Sequence, residues 1–463
     1  MDKWRLEQDS LGEVAVPASA LYGAQTQRAR SNFAFSGQGM PIAFIRALIQ
    51  IKAAAAEANF KLQLISEDVY LAIKAACDSL LQDAQLETHF PVDVFQTGSG
   101  TSTNMNANEV IARLASMQTG ILVHPNDHVN FGQSSNDTIP STIHLSCVLE
   151  VVNHYQPALK KLRDTIELKA KSFNHLTKTG RTHLMDAMPV RFSQSMQAWA
   201  DQIAYCQRRL DSILVELQTL AQGGTAVGTG INTHRQFSLL FCQTLNEQTK
   251  LNFRPADNFF THIGSQDIAA SFSSELKSFA MVLMKIANDL RWMNSGPLVG
   301  LGEITLAALQ PGSSIMPGKV NPVIPEAVTM VAAQVIGFDS AITIANQSSV
   351  FELNVMLPLI GHNLLQSIRL LTQAASSLAD KAIATFEVNE EKINASVARN
   401  PILVTALNPV IGYQLAAKVA KQAYQENRPI IDVAVENTDL TREQLMKLLD
   451  PQRLTEGGLS IES

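Results

Sequence analysis

Charge is the scarcest feature of this 463-residue chain: lysine, arginine, aspartate and glutamate together reach only 17%, against about a quarter in an average soluble domain. Hydrophobic residues make up 46%, which leaves too little polar surface to cover so long a chain as a monomer. Burial of helix faces against further copies of the chain is the expectation that follows. Basic excess is missing as well. The net charge is -6, with no basic run and no interleaving of aromatic and basic side chains, so nucleic acid and anionic membrane are excluded as favoured partners. An anionic ligand therefore needs a local site. Cysteine is sparse: Cys77, Cys147, Cys206 and Cys242 are scattered through apolar, helical sequence without a Cys-x-x-Cys pair. Free buried thiols are expected, and neither disulfides nor zinc. No uninterrupted apolar run approaches ~18 residues, and the opening Met1-Asp2-Lys3-Trp4-Arg5-Leu6-Glu7 lacks a signal core. A cytoplasmic protein is expected.

What the chain does have is helical period. Phe192, Met196, Trp199, Ile203, Cys206, Leu210, Ile213, Leu217 and Leu220 alternate steps of four and three up to Gly223-Gly224. Ile268, Phe272, Leu276, Phe279, Leu283, Ile286, Leu290 and Met293 repeat the pattern up to Gly296-Pro297. Helices of roughly 30 residues would span about 45 Å, more than a compact monomeric domain requires. Further helical stretches at about 138–172, with Pro157 as a kink, 325–349 and 353–386 bring the bundle to five members. The reading is an all-α fold of three domains. An N-terminal, mainly helical domain covers 1–135, the long-helix bundle 136–390, and a small C-terminal helical domain, broken by Asn400-Pro401, Asn408-Pro409 and Arg428-Pro429, covers 391–463.

Between the helices lie loops of one chemical kind. Gly312-Ser313-Ser314-Ile315-Met316-Pro317-Gly318-Lys319-Val320-Asn321-Pro322 carries hydroxyls, an ammonium and a carboxamide on a backbone loosened by two glycines. Gln96-Thr97-Gly98-Ser99-Gly100-Thr101-Ser102-Thr103 feeds into a helix whose positive end faces whatever binds there. Ser134, Ser135 and Asn136 repeat that chemistry ahead of a helix beginning near Thr138. A fourth loop, Gly180 to Pro189, presents Thr182 and His183, and a loop histidine near hydroxyls and a lysine is a candidate general acid or base. Such donors suit the carboxylates of a small dianionic substrate.

Other readings fit less well. A phosphate loop fails because five residues separate Gly312 from Gly318 and Val320 follows Lys319 where a hydroxyl belongs. His124 and His128 are four apart, but Pro125 makes a turn in which that spacing has no helical meaning, so metal is not expected. Gly228-Thr229-Gly230 lacks both a preceding strand and a third glycine, and close backbone packing of the 223–232 stretch is the better account.

Taken in order, these loops resemble the fumarase/aspartase superfamily over essentially the whole chain. Gly318 before Lys319, Thr97-Gly98-Ser99-Gly100-Thr101, Ser134-Ser135-Asn136 and Gly223-Gly224-Thr225-Ala226-Val227-Gly228 favour class II fumarase within it. The resemblance implies reversible hydration of fumarate to (S)-malate, a step of the tricarboxylic acid cycle, with no metal or organic cofactor. It implies Ser313 as the base at C3 of malate and His183, polarised by Glu326, as the group serving the departing or arriving water. Substrate binding falls to Ser99, Gly100, Thr101, Ser134, Ser135, Asn136, Thr182, Ser314, Lys319, Val320 and Asn321. It further implies a homotetramer with a twenty-helix core and active sites assembled from loops of three subunits. An accessory carboxylate site carries over as His124, Pro125, Asn126 and Asp127. There the chain departs from the family, with His128, Phe131 and Gly132 replacing Asp, Lys and Ser, and Ile121 replacing an arginine. The alternatives are aspartate ammonia-lyase, told apart by ammonia release from aspartate, and an inactive structural protein of the lyase fold, which intact Ser313, His183, Lys319, Asn321 and Glu326 argue against.

Overall fold

The apolar period is realised in long helices that bury most residues the spacing picks out, Ile213 and Ile268 being half-buried beside buried Leu214 and Ala269. The computed structural model describes residues 4–458. A hairpin of β1 (Trp4–Asp9) and β2 (Gly12–Pro17) precedes α1 (Ala24–Asn32), α2 (Ile42–Lys61) and α3 (Glu67–Gln82). Ser66 caps α3 by accepting the Val69 amide, with Glu67 and Asp68 in the first turn, as that sequence dictates. Next come α4 (Thr101–Thr119), α5 (Ser135–Glu150) and α6 (Gln156–Ser172). A second hairpin, β3 (Thr177–Thr182) and β4 (Met185–Arg191), leads into α7 (Phe192–Leu217). The remaining helices are α8 (Phe237–Thr249), α9 (Phe259–Gly264), α10 (Asp267–Met293), α11 (Val323–Gln347), α12 (Leu357–Leu378) and α13 (Glu390–Ala398), followed by short C-terminal ones.

Several boundaries differ from the sequence expectation. The helix runs on from α5 into α6 through a wide turn over Val151–Tyr155, directly before Pro157, whose missing N–H interrupts the ladder there. Helix α7 stops at Leu217, short of the glycine pair, because Thr219–Leu220 pairs in parallel with Arg254–Pro255. Both antiparallel hairpins fall in stretches that read as loop or short irregular elements, and the strands are brief enough to leave the fold all-α.

The chain divides into two compact units. One is built from the chain up to Pro157, Cys206–Ala280 and Ala333–Thr372, the other from Ala158–Tyr205, Met281–Ala332 and the chain from Gln373 on. The borders fall inside α6, α7, α10, α11 and α12. Within the first unit Arg209 of α7 pairs with Glu275 of α10, and Asp339 of α11 accepts from Ser273 and Lys277 of α10. Within the second, Trp199 Nε1 donates to Asp289. The second unit also holds a C-terminal core of Leu403, Leu407, Val419, Val433 and Leu445. All four cysteines are buried and unpaired.

Helix α11 is the exception to this burial. It is long and apolar enough to cross a membrane by length and composition, with a mean hydropathy of 1.6, yet only 28% of its most apolar window is buried. Met330 and Ile344 stand exposed on it.

His144 of α5 is enclosed in the first unit, its Nδ1–H donating to the Thr219 carbonyl at 2.8 Å while Thr219 Oγ1 lies 2.9 Å from His262 Nε2. Burial lowers its pKa from the ordinary 6.5 to about 4. Between those values the unfolded chain takes up a proton that the folded one refuses, so stability falls as the pH drops through that window, by roughly 3 kcal/mol from this group. Urea midpoints measured from about pH 7 to about pH 4 should show that decline, and it should be much reduced in His144→Gln.

Candidate functional site

In the first unit two of the donor loops meet at the starts of neighbouring helices. Gly100 takes a left-handed conformation at the cap of α4, φ +73°, which a residue with a Cβ resists. A Cβ there would also fall 2.9 Å from Ile139 of α5. At Gly98 a Cβ would lie 1.7 Å from the Val355 carbonyl oxygen, and the Gly98 carbonyl itself accepts from the Leu357 amide. The loop thus threads a gap that admits only glycine. Ser99 Oγ and Thr101 Oγ1 lie 2.8 Å apart, so they share one proton donor between them and leave the other hydroxyl hydrogen for a ligand.

The second loop begins α5 with a capping box: Ser134 Oγ accepts the Asn136 amide and Asp137 Oδ1 accepts the Ser134 amide at 2.9 Å. Asp137 is wholly buried, and its Oδ2 accepts the amides of Gly223 and Thr225 at 3.0 and 2.9 Å. Burial raises its pKa while these three amides oppose the rise. Asn136 Nδ2 donates to the Ala226 carbonyl, and Asn104 of α4 donates to Ser135 Oγ at 3.0 Å. Ser99–Thr101, Ser134–Asn136 and the 223–226 turn are therefore one assembly.

The second unit holds the remaining groups. Thr182 and Met185 pair across the tip of the β3–β4 hairpin, and His183 and Leu184 between them have φ +55° and +61°. Two left-handed residues make this a type I′ turn, which carries the strain of two non-glycine side chains in order to point His183 outward. The strand behind it is clamped: Glu303, 3% exposed, lies 3.0 Å from Lys178 Nζ and 2.8 Å from Arg181 Nη1.

The 312–322 segment is a loop, as its glycines and prolines require. Its neck is closed by Gly312 N donating to the Lys319 carbonyl and Asn321 Nδ2 donating to the Gly312 carbonyl at 2.6 Å. Gly318 is left-handed, φ +84°. Ser313 Oγ accepts two backbone amides, from Ile315 at 3.2 Å and Met316 at 3.0 Å. Two donors on one hydroxyl oxygen favour negative charge there. Ser314, Lys319 and Val320 are exposed, and Lys319 has no carboxylate partner among the described residues. Glu326 lies in the first turn of α11, half-buried. Among the described residues no hydrogen bond or ion pair joins His183 to Glu326 or to Ser313.

The accessory residues sit elsewhere in the first unit. His124 Nδ1 accepts the amides of Asn126 and Asp127, and His128 Nδ1 accepts the amide of His124. His124, Pro125 and Asn126 line a cavity of about 740 Å³ against the later turns of α4, with Glu109 and Arg113. Asp127 is exposed and does not line it.

Sequence reading passed over Asp137 and took 223–232 as packing alone. The Ser134-x-x-Asp137 spacing was the available signal for the cap. It also passed over Lys52, the one charge on the Leu48–Ala55 face of α2, and Glu303.

A family model described as Lyase matches residues 12–337, and one described as Fumarase C C-terminus matches residues 403–456. Fumarate hydratase class II 2 of Pseudomonas aeruginosa is 64% identical over 459 residues, covering 99% of this chain and 100% of its own. Fumarate hydratase class II of Xylella fastidiosa is 53% identical over 460 residues, covering 99% and 97%. Among solved structures, the recombinant class II fumarase from Schistosoma mansoni superposes with a TM-score of 0.95 at 37% identity, over 98% of this chain and 99% of that one.

Replacing Asp137 by Asn leaves one carbonyl oxygen to meet three amide donors and puts an NH2 group against at least one of them. We expect Asp137→Asn to lose about 2–3 kcal/mol in urea unfolding and to loosen the Ser134–Asn136 and 223–226 turns together, seen as faster amide exchange in both.

Proposed function

The chain belongs to the class II fumarate hydratase family of lyases, and from that premise we propose how its loops carry out the reaction. It catalyses the reversible hydration of fumarate to (S)-malate, a step of the tricarboxylic acid cycle. In the dehydration direction Ser313, its hydroxyl proton first lost to solvent, takes a proton from C3 of malate as the alkoxide. The electron pair left on C3 moves into the adjacent carboxylate and forms an aci-carboxylate. The C2 hydroxyl then leaves as water with a proton from His183, and the C2–C3 double bond forms. A serine hydroxyl is too weak an acid for this role in water. The observation that carries the assignment is the pair of backbone amides on Ser313 Oγ, with the Lys319 ammonium, unpaired among the described residues, in the same loop. Donors that meet charge only as it develops lower the barrier rather than merely tightening binding.

The other roles follow the chemistry of each group. Ser99, Gly100, Thr101, Ser134, Ser135 and Asn136 supply hydroxyls and amides at two helix N-termini, a setting that favours a carboxylate. Thr182, Ser314, Lys319, Val320 and Asn321 serve the same substrate from the other two loops. One N–H of the Asn321 carboxamide is engaged by Gly312, which leaves the second for a ligand. Glu326 polarises His183 across a subunit boundary. His124, Pro125, Asn126 and Asp127 form an accessory carboxylate site beside the 740 Å³ cavity.

The working assembly in this reading is a homotetramer whose twenty-helix core buries the apolar face of α11. Three domains, 1–135, 136–390 and 391–463, contribute to it. Glu326 and Asp339 on α11, the latter bonded to Ser273 and Lys277, support a core helix over a membrane span. The protein is placed in the cytoplasm.

Purified protein given malate should produce fumarate, followed by its ultraviolet absorbance, without added ammonia; absence of that signal would sink the reading. Ser313→Ala and His183→Asn should each reduce turnover by about 10²–10⁴-fold, the contribution typical of a general base or acid, with the oligomer intact at about four times 50.4 kDa by light scattering. Mixing the two inactive variants should restore part of the activity if each site draws loops from different subunits, and no recovery would count against shared sites.

A further inference from the structure

Beneath the Ser134–Asn136 turn lies a buried polar cluster that the reaction as described leaves unused. Lys52 sits mid-way along α2 on the face that enters the core, with none of its surface open to solvent. An ammonium so placed is costly unless bonded. Its Nζ donates to Asn130 Oδ1 at 2.9 Å and to Gln133 Oε1 at 3.1 Å. Asn130 Oδ1 also accepts from Asn104 Nδ2 and Asn108 Nδ2, each at 3.2 Å, so one carboxamide oxygen gathers donors from α2 and α4. Asn130 Nδ2 donates to the Gln133 carbonyl at 3.2 Å, and Asn104 continues to Ser135 Oγ. The cluster thus ends on residues 130–135, the segment leading into the donor turn.

We propose that Lys52 is a positioning residue for the dicarboxylate site: its hydrogen bonds and buried charge hold residues 130–135 so that Ser134, Ser135 and Asn136 are aligned before substrate arrives. The inference rests on reading that turn as a substrate donor. Fold stability alone gives little reason for a lysine here, since a buried charge can often be exchanged for an apolar residue of similar volume without loss. What an apolar residue cannot do is bond Asn130 and Gln133 while placing positive charge behind a site for a dianion.

Among the titratable groups on elements packed against α2, Asp137 of α5 and Cys77 of α3 act on Lys52. Burial keeps the Cys77 thiol protonated. Glu109 of α4 is engaged with the amides of residues 23–26, Glu247 of α8 lies beside Lys61, and His128 accepts from the His124 amide. Burial lowers the pKa of Lys52 to about 7, with Asp137 opposing the shift. Its charge is therefore present below about pH 7 and fades above. A dianion bound in front of the turn favours the charged form, and by linkage the charged form favours the dianion.

The probe is succinate, a saturated dicarboxylate that the enzyme cannot hydrate or dehydrate. Its dissociation constant in the unsubstituted tetramer should rise about tenfold between about pH 6 and about pH 9, the factor for one pKa unit of coupling. Lys52→Met should remove that pH step and raise KM for malate about tenfold, with kcat changing less than KM. A folded Lys52→Met that keeps both the parent KM and the pH step overturns the inference. Should that variant fail to fold, Asn130→Asp sets a carboxylate beside Lys52 and should move the step to higher pH; an unmoved step overturns the inference equally. Asn136→Ala separates the two readings. If it weakens succinate and Lys52→Met does not, only the positioning role falls. If it leaves succinate binding unchanged, the turn is not a substrate donor and the inference falls with it.

Discussion

A carboxylate with no access to water holds this site together. Asp137 accepts three backbone amides, one from its own helix start and two from the 223–226 turn eighty-six and more residues away in sequence. Water could offer the same donors in the unfolded chain. Inside the protein nothing else can, so leaving any of the three unmade costs a full desolvation penalty. That penalty turns two mobile turns into one rigid body. It also fixes Asn136, whose carboxamide reaches Ala226 in the same turn.

A related device recurs at other buried carboxylates of this charge-poor chain. Glu109 accepts the amides of Gly23, Gln25 and Thr26 and so begins α1 from another helix. Asp93 accepts the amides of Ser36, Gly37 and Phe95. Glu303 grips Lys178 and Arg181 behind the strained tip that carries His183. Each clamp acts on a loop or a helix start, where backbone amides have no partner of their own. In a sequence with 17% charged residues, these three buried carboxylates sit where loop geometry must be exact.

How much of this could be read from residues alone follows from the range of the interactions. The stripe from Phe272 to Met293 and the Ser66 cap of α3 are local: spacing and side-chain type determine them, and both stand in the structure. The 312–322 loop was legible for the same reason, because two glycines and two prolines leave no helix or strand open to it. The hairpin around His183 was not. Its strands are short, and the contacts that hold them, such as Lys178 and Arg181 with Glu303, lie more than a hundred residues apart in sequence. Lys52 was hidden by the opposite problem. A lone lysine on an apolar helix reads as a solvated end until the Asn130 and Gln133 oxygens are placed over it.

The groups left without partners carry the last step. Among the described residues Lys319 has no carboxylate partner and half-buried Glu326 no cation, His183 stands at an outward tip, and α11 shows Met330 and Ile344 to solvent. Burial of α11 against further copies of the chain, as proposed above, would account for these three side chains and the one apolar helix together. In the proposed oligomer, exposed apolar surface at about 25 cal/mol per Å² would drive α11 against helices of other copies. The same association can bring one chain's histidine to another's glutamate at no further cost in loop closure. An active site divided among copies then needs no long ordered loop from any of them. In that proposed arrangement, the rigid clamps within each chain let the divided parts arrive already shaped.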